Sequence, residues 1–168
     1  MMGAGKSAVG TRLADRLGRA FIDTDRAIEA EAGRTVAEIF AAEGEAAFRK
    51  RERETVLRLA GSDRVVALGG GAVAQPGMPR LLAETGTVVY LRAKTATLVG
   101  RLDDCDDRPL LAGLDAQARS DRLDALLAER GAAYATASIA VDTDASSVAE
   151  VVAEVLRRLD VDPHAGAR

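Results

Sequence analysis

Two kinds of apolar pattern alternate along the chain. Short β-branched runs end in Gly or Asp: Ala20-Phe21-Ile22-Asp23, Val65-Val66-Ala67-Leu68, Thr87-Val88-Val89-Tyr90-Leu91 and Ser138-Ile139-Ala140-Val141-Asp142. Between them, apolar residues recur at spacings of three and four, as in Leu123, Leu126, Leu127 and in Val148, Val151, Val152, Val155, Leu156. The first pattern predicts strands and the second amphipathic helices. The strand runs lack strict alternation, which predicts burial on both faces. Strands that alternate with helices in this way predict an α/β fold with a parallel sheet. Thr35 and Glu38, ahead of Ile39 and Phe40, form the capping-box signature of a helix start. The run Asp103-Asp104-Cys105-Asp106-Asp107 predicts a mobile acidic loop, and the polar stretch 160–168 a C-terminal tail.

Composition narrows the setting. With 168 residues, 48% hydrophobic and 29% charged, the chain is sized for one globular domain with one core. A net charge of -3 argues against nucleic acid as the main partner. One cysteine, Cys105, excludes an internal disulfide and fits a reducing cytoplasm. The only histidine, His164, lies in the tail, which removes histidine-based catalysis. No apolar run approaches the roughly 20 residues of a membrane span, and no signal-peptide pattern is present.

The chemistry begins at Gly3-Ala4-Gly5-Lys6-Ser7, followed by helical sequence through Leu13 and Leu17. This is the second half of a P-loop, G-x-x-x-x-G-K-[ST]. Its backbone N–H groups and the helix N-terminus cradle phosphates, the lysine reaches the β- and γ-phosphates, and the serine holds Mg²⁺. The motif's first glycine falls one position ahead of Met1, and the strand that feeds a P-loop is missing with it. Loss of such a strand removes several apolar side chains worth roughly 1.5–3 kcal/mol each. Two readings follow: a chain that begins upstream, or a damaged remnant. The intact remainder favours the first.

Further motifs lie downstream. Asp23-Thr24-Asp25 ends a strand, where open α/β sheets present ligands. Both carboxylates are expected to face the phosphates, Asp23 holding the metal's water shell and Asp25 orienting an acceptor hydroxyl or taking its proton, unless one merely caps the next helix. Arg49 and Glu52 share a helix face, so Glu52 can hold the guanidinium for a carboxylate ligand, although the whole charged run also reads as a solvated face. Gly69-Gly70-Gly71 after a strand admits close approach to a ligand. Arg108, in Arg108-Pro109-Leu110-Leu111, suits a loop that closes over a transferring phosphoryl group, and Arg130 is a second candidate anion contact.

In this order the motifs resemble the shikimate kinases, in the nucleoside-monophosphate-kinase-like group of P-loop proteins, from Met2 to about Leu159. The resemblance implies a five-stranded parallel sheet in order 2-3-1-4-5 flanked by helices, with the first, central strand absent from this chain. It implies a domain at 1–159 with a lid at about 103–118. It also implies MgATP-dependent phosphorylation of the 3-hydroxyl of shikimate, on the route to aromatic amino acids, by a cytoplasmic monomer. Carried over, Gly3, Ala4, Gly5, Lys6, Ser7 and Ala8 bind ATP, with Arg101 on adenine and Arg108 as lid arginine over the phosphates. Ser7 and Asp23 serve Mg²⁺. Asp25, Arg49, Gly70, Gly71 and Arg130 bind shikimate, the arginines taking its carboxylate. Lys6, Asp25 and Arg108 are then the catalytic set, with Phe40 and Phe48 walling the pocket. Ala8 departs from the threonine frequent in the family. The alternatives are a related small-molecule kinase, such as one for gluconate, and an inactive nucleotide-binding remnant.

Overall fold

The computed structural model describes residues 1–102 and 109–160. Helix α1 (Lys6–Leu17) begins after Gly5, which caps it with a left-handed φ of 83°, a conformation that glycine adopts without a Cβ clash. Strand β1 (Ala20–Asp23) follows and runs straight into α2 (Thr24–Ala32), whose N-cap is Asp23: its carboxylate accepts from the Asp25 N–H at 3.1 Å. Next comes α3 (Val36–Leu59), opened by the expected Thr35–Glu38 capping box and broken at Gly44, where φ is 81°. Strand β2 (Arg64–Ala67) leads through the glycines to a single 3-10 turn, Ala72–Ala74, and to α4 (Met78–Thr85). The second half comprises β3 (Val89–Arg92), α5 (Thr95–Gly100), α6 (Ala116–Tyr134), β4 (Ile139–Asp142) and α7 (Val148–Arg158).

The α/β class and parallel pairing match the sequence pattern, but the strands form two separate sheets. β1 pairs with β2, Ala20 opposite Arg64 and Asp23 opposite Ala67. β3 pairs with β4, Val89 opposite Ile139 and Arg92 opposite Asp142. Among the described residues no strand joins the two pairs. None of the described strands shows the expected two-faced burial: β1, β2 and β3 are mostly half-buried, with only Ala67 and Leu91 buried among them. In β4, Ile139 and Val141 are buried while Ala140 and Asp142 are exposed; a strand at the rim of its pair has helix cover on one face only, so it alternates. The expected lid range runs past its loop as well, because 116–118 form the first turn of α6, capped by the Asp115 carboxylate on the Ala118 N–H at 2.8 Å. Its acidic run 103–107 and Arg108 lie outside the described residues.

The main core gathers apolar stripes from α1, α5, α6 and α7, with Leu98, Leu123 and Val155 wholly buried. The Val151, Val152, Val155, Leu156 stripe is buried throughout, as its spacing predicts. A second, smaller cluster of Ile28, Ile39 and Phe48 ties α2 to α3. At roughly 1.5–3 kcal/mol per buried side chain, it holds a separate lobe beside the P-loop end of the fold.

Candidate active site

The C-terminal ends of β1 and β2 and the N-terminus of α1 converge on a cleft of about 350 Å³. Lys6 and Ser7 enter from α1, Asp23 and Asp25 from the β1–α2 junction, Phe40, Phe48, Arg49 and Glu52 from α3, Gly69–Gly71 from the end of β2 and Arg130 from α6. Chain positions up to 124 apart thus meet at one place, the crevice beyond the strand ends where open α/β folds bind ligands.

On the P-loop side, Ser7 Oγ donates to Asp23 Oδ2 at 2.7 Å. Lys6 Nζ donates to the Met1 carbonyl at 2.7 Å. The hydroxyl–carboxylate pair beside a helix N-terminus is an all-oxygen donor set, which suits a hard divalent cation that completes its shell with water and phosphate. Among the described residues no cluster of three His, Cys, Asp or Glu side chains forms an all-protein metal cage.

On the opposite side, Arg49 and Glu52 point inward rather than forming a solvated face. Glu52 is fully buried and accepts from Arg49 Nη1 and from Gln75 Nε2, both at 2.8 Å. Glu45 accepts from Arg49 Nη2 at 2.9 Å. Burial pulls the Arg49 guanidinium down, but Glu52 and Glu45 outweigh it and raise its pKa above the ordinary arginine value. The Phe48 ring lies 5.5 Å from the guanidinium carbon and 4.9 Å from the Phe40 ring.

Two of the three glycines, Gly69 and Gly71, are explained by these neighbours. A Cβ on Gly69 would collide with Glu52 Oε1 and stand 2.7 Å from Asp25 Oδ1; one on Gly71 would stand 2.7 Å from the Arg49 guanidinium. The carboxylates and the arginine therefore pack directly on the backbone. The two aspartates divide: Asp23 serves Ser7 and the helix cap, while Asp25 Oδ1 lies beside the Gly69 backbone, next to Glu52 Oε1, in the same cleft.

Arg130 is buried at 4% exposure and brings Nη1 within 3.6 Å of the position a Gly70 Cβ would take. Arg101 caps α5 and donates through Nη1 to Thr143 Oγ1 at 3.0 Å and through Nη2 to the Thr143 carbonyl, away from this cleft.

Sequence reasoning missed three supports. Thr24, wholly buried between the two aspartates, donates to the Ala67 carbonyl at 3.3 Å and accepts from the Gly69 N–H at 2.9 Å, tying both strand ends together. Tyr134 Oη donates to the Gly70 carbonyl at 2.7 Å, and its ring stacks on Tyr90 at 4.8 Å. Burial pushes the Tyr134 phenol up against the pull of Arg130. Gln75 carried no signal at all; the positions of Thr24, inside Asp-Thr-Asp, and Tyr134, one helical turn after Arg130, did.

A P-loop lysine and serine, an adjacent aspartate, and a second anion pocket that faces them define a P-loop kinase for a small acidic acceptor. The shikimate kinase family model matches residues 2–160. The chain is 50% identical to a shikimate kinase of Symbiobacterium thermophilum, across 95% of this chain and 92% of that one. It is 47% identical to the enzyme of Mycobacterium marinum, across 96% and 86%. The shikimate kinase of Acinetobacter baumannii, solved in complex with shikimate, superposes with a TM-score of 0.86 at 34% identity over 94% of this chain and 88% of that one. That of Bacteroides thetaiotaomicron gives 0.89 at 30% identity, over 96% and 95%. The chain belongs to the shikimate kinase family.

Proposed function

We infer that the protein transfers the γ-phosphoryl group of ATP to the 3-hydroxyl of shikimate, releasing ADP and shikimate 3-phosphate. The observation that carries this is the pocket in which Arg49, Arg130 and Asp25 face the P-loop Lys6 and Ser7 across the triple glycine. A cyclic acid with several hydroxyls fits it: two cations for a carboxylate, and a carboxylate for hydroxyls. A gluconate-type kinase needs no such arginine pair held for a ring carboxylate.

Gly3, Ala4, Gly5 and Ala8 offer backbone around the ATP phosphates, Lys6 neutralises charge on the γ-phosphoryl, and Arg101 lies by the adenine. Ser7 and Asp23 would hold Mg²⁺, which would supply positive charge to the ATP phosphates. Arg49 and Arg130 grip the substrate carboxylate, with Gly70 and Gly71 lining its ring. Asp25 orients the 3-hydroxyl and takes its proton as the oxygen attacks the γ-phosphorus and the bond to the ADP oxygen breaks. Arg108, with the lid around it, closes over the phosphoryl group and excludes water. The chain works as a cytoplasmic monomer of one domain, residues 1–159, without nucleic acid or membrane partners. No helix among the described residues is long and apolar enough to cross a membrane. The parallel pairs β1–β2 and β3–β4 correspond to strands 2-3 and 4-5 of the family's 2-3-1-4-5 sheet.

Arg49→Ala tests the assignment. Two charge-assisted hydrogen bonds lost to the carboxylate raise the shikimate KM about 100-fold or more, with the ATP KM little changed. An unchanged shikimate KM removes Arg49 from the substrate site.

A further inference from the structure

Arg49 is paired with two carboxylates of its own helix. Glu45 and Glu52 both sit on α3, so they aim the guanidinium relative to α3 and not relative to the rest of the cleft. Gln75 reaches this group from a different element. Its Nε2 donates to Glu52 Oε2 at 2.8 Å, the same oxygen that accepts from Arg49 Nη1 at 2.8 Å. An ionised carboxylate only accepts, so the amide has to present its N–H there. Being neutral, Gln75 fills a lone pair of Glu52 without competing with Arg49 as a second cation would.

The backbone of Gln75 is tied in turn to the triple glycine. The Ala72 N–H donates to the Gly69 carbonyl at 3.1 Å, the Ala74 N–H to the Gly71 carbonyl at 3.2 Å and the Gln75 N–H to the Ala72 carbonyl at 3.2 Å. Beyond the turn, the Gln75 carbonyl accepts from the Met78 N–H at 3.0 Å, and the Pro76 carbonyl accepts from Arg53 Nη1 at 2.9 Å. Neighbouring residues of α3, Glu52 and Arg53, thus grip neighbouring residues of this loop.

We propose that Gln75 is a positioning residue of the substrate pocket: through the buried Glu52 carboxylate it sets the place of the Arg49 guanidinium opposite the triple glycine, and so the affinity for the acceptor's carboxylate. This inference rests on the kinase reading. The acceptor's carboxylate then lies between Arg49 from α3 and Arg130 from α6, beside Gly70 and Gly71. These groups come from three different elements, so the grip depends on where α3 places its arginine against the glycine loop. The Gln75–Glu52 bond joins the arginine's own network to that loop. Without it, Glu52, which is wholly buried, loses a donor where a lost partner is costly. The carboxylate then turns toward its remaining donor, and the guanidinium moves with it. Lys6 and Ser7, on α1, stay where they are. The fold does not depend on the amide, because Val56, Ala72 and Met78 form an apolar cluster that packs α3 on the 3-10 turn and α4, and Gln75 itself is only half-buried.

The test is steady-state kinetics of the whole chain carrying Gln75→Met, which keeps the length and removes the donor, or Gln75→Ala, which removes volume as well. Both variants raise the shikimate KM about 10-fold, the lower end for a hydrogen bond to a charged group, while kcat and the ATP KM stay within about twofold. Placed on Arg49→Ala, neither raises the shikimate KM further, because the group that Gln75 positions is gone. Where Gln75→Ala does not melt cooperatively, Gln75→Met and its double variant with Arg49→Ala decide. An unchanged shikimate KM, a rise in Gln75→Ala alone or a matching rise in the ATP KM overturns the proposal and leaves Gln75 a packing residue. A rise that persists undiminished on Arg49→Ala also overturns it, since the amide then acts without the arginine. The wild-type chain separates the two readings. Shikimate-dependent ADP release that the Gln75 variants match refutes the proposal alone, whereas a wild-type chain indifferent to shikimate refutes the kinase reading and the proposal with it.

Discussion

Glu52→Gln removes one charge and almost no volume from the buried pair that holds Arg49. At 2.8 Å the two charges attract by roughly 6 kcal/mol at an effective dielectric near 20. Burying the carboxylate costs several kcal/mol in return, so the pair's net worth is far smaller than the attraction. The variant reads something different, the cost of leaving the arginine without its buried counter-ion. Removing one member of a buried pair costs about 3–5 kcal/mol. Here Glu45, itself half-exposed, still holds the outer side of the guanidinium, and the amide keeps one hydrogen bond. The expected loss is therefore about 2–3 kcal/mol, or a Tm lower by about 5–10 °C, measured by urea and thermal unfolding followed by circular dichroism. Because Arg49 loses its alignment, the shikimate KM rises about 10- to 100-fold while the ATP KM stays within about twofold. A stability change under about 0.5 kcal/mol with an unchanged shikimate KM would refute the reasoning. Lower stability with an unchanged KM makes the pair a fold element that does not position Arg49.

Three further outcomes are expected. Asp25→Asn lowers kcat by about 100-fold or more and leaves ATP affinity by titration calorimetry unchanged; equal loss of both contradicts the assigned role. Tyr134→Phe strands the Gly70 carbonyl and costs about 1–2 kcal/mol, raising the shikimate KM several-fold at unchanged ATP KM; a shift confined to ATP places the tyrosine's influence elsewhere. The Met1 ammonium has a folded-state pKa below its ordinary value of 8.0, through burial and then Lys6 and Arg130. Below pH 8.0 the unfolded chain therefore holds the proton more firmly, and stability rises with pH up to about 8. Amino-terminal acetylation abolishes that rise in a pH series of melts, and a rise that survives acetylation assigns it to another group.

Much of this architecture is legible from spacing because local rules and packing agree. The Thr35–Glu38 box and the valine stripe of α7 each satisfy a helix rule that the core then uses. The P-loop, Asp-Thr-Asp and triple-glycine motifs are readable because each asks for rare residues at fixed offsets. The charged run of α3 is a harder case: Arg49 and Glu52 look like their neighbours in sequence. Only the fold shows that one face of this helix turns onto Gly71 and Gly69. Gln75 is invisible for the same reason, since its partner Glu52 lies 23 residues away on another element. The division between Asp23 and Asp25 follows from Asp23 acting as helix cap and serine partner at once, which no spacing rule separates. The split into two sheets depends on edges that only long-range pairing defines.

The central claim, phosphoryl transfer to shikimate at the Asp25–Arg49–Arg130 pocket, is tested most directly by ADP release from this 168-residue chain with ATP and Mg²⁺, with and without shikimate. The account predicts release that requires shikimate, saturates with it, and is not replaced by gluconate. Release that is indifferent to shikimate, or that gluconate supports equally, contradicts it.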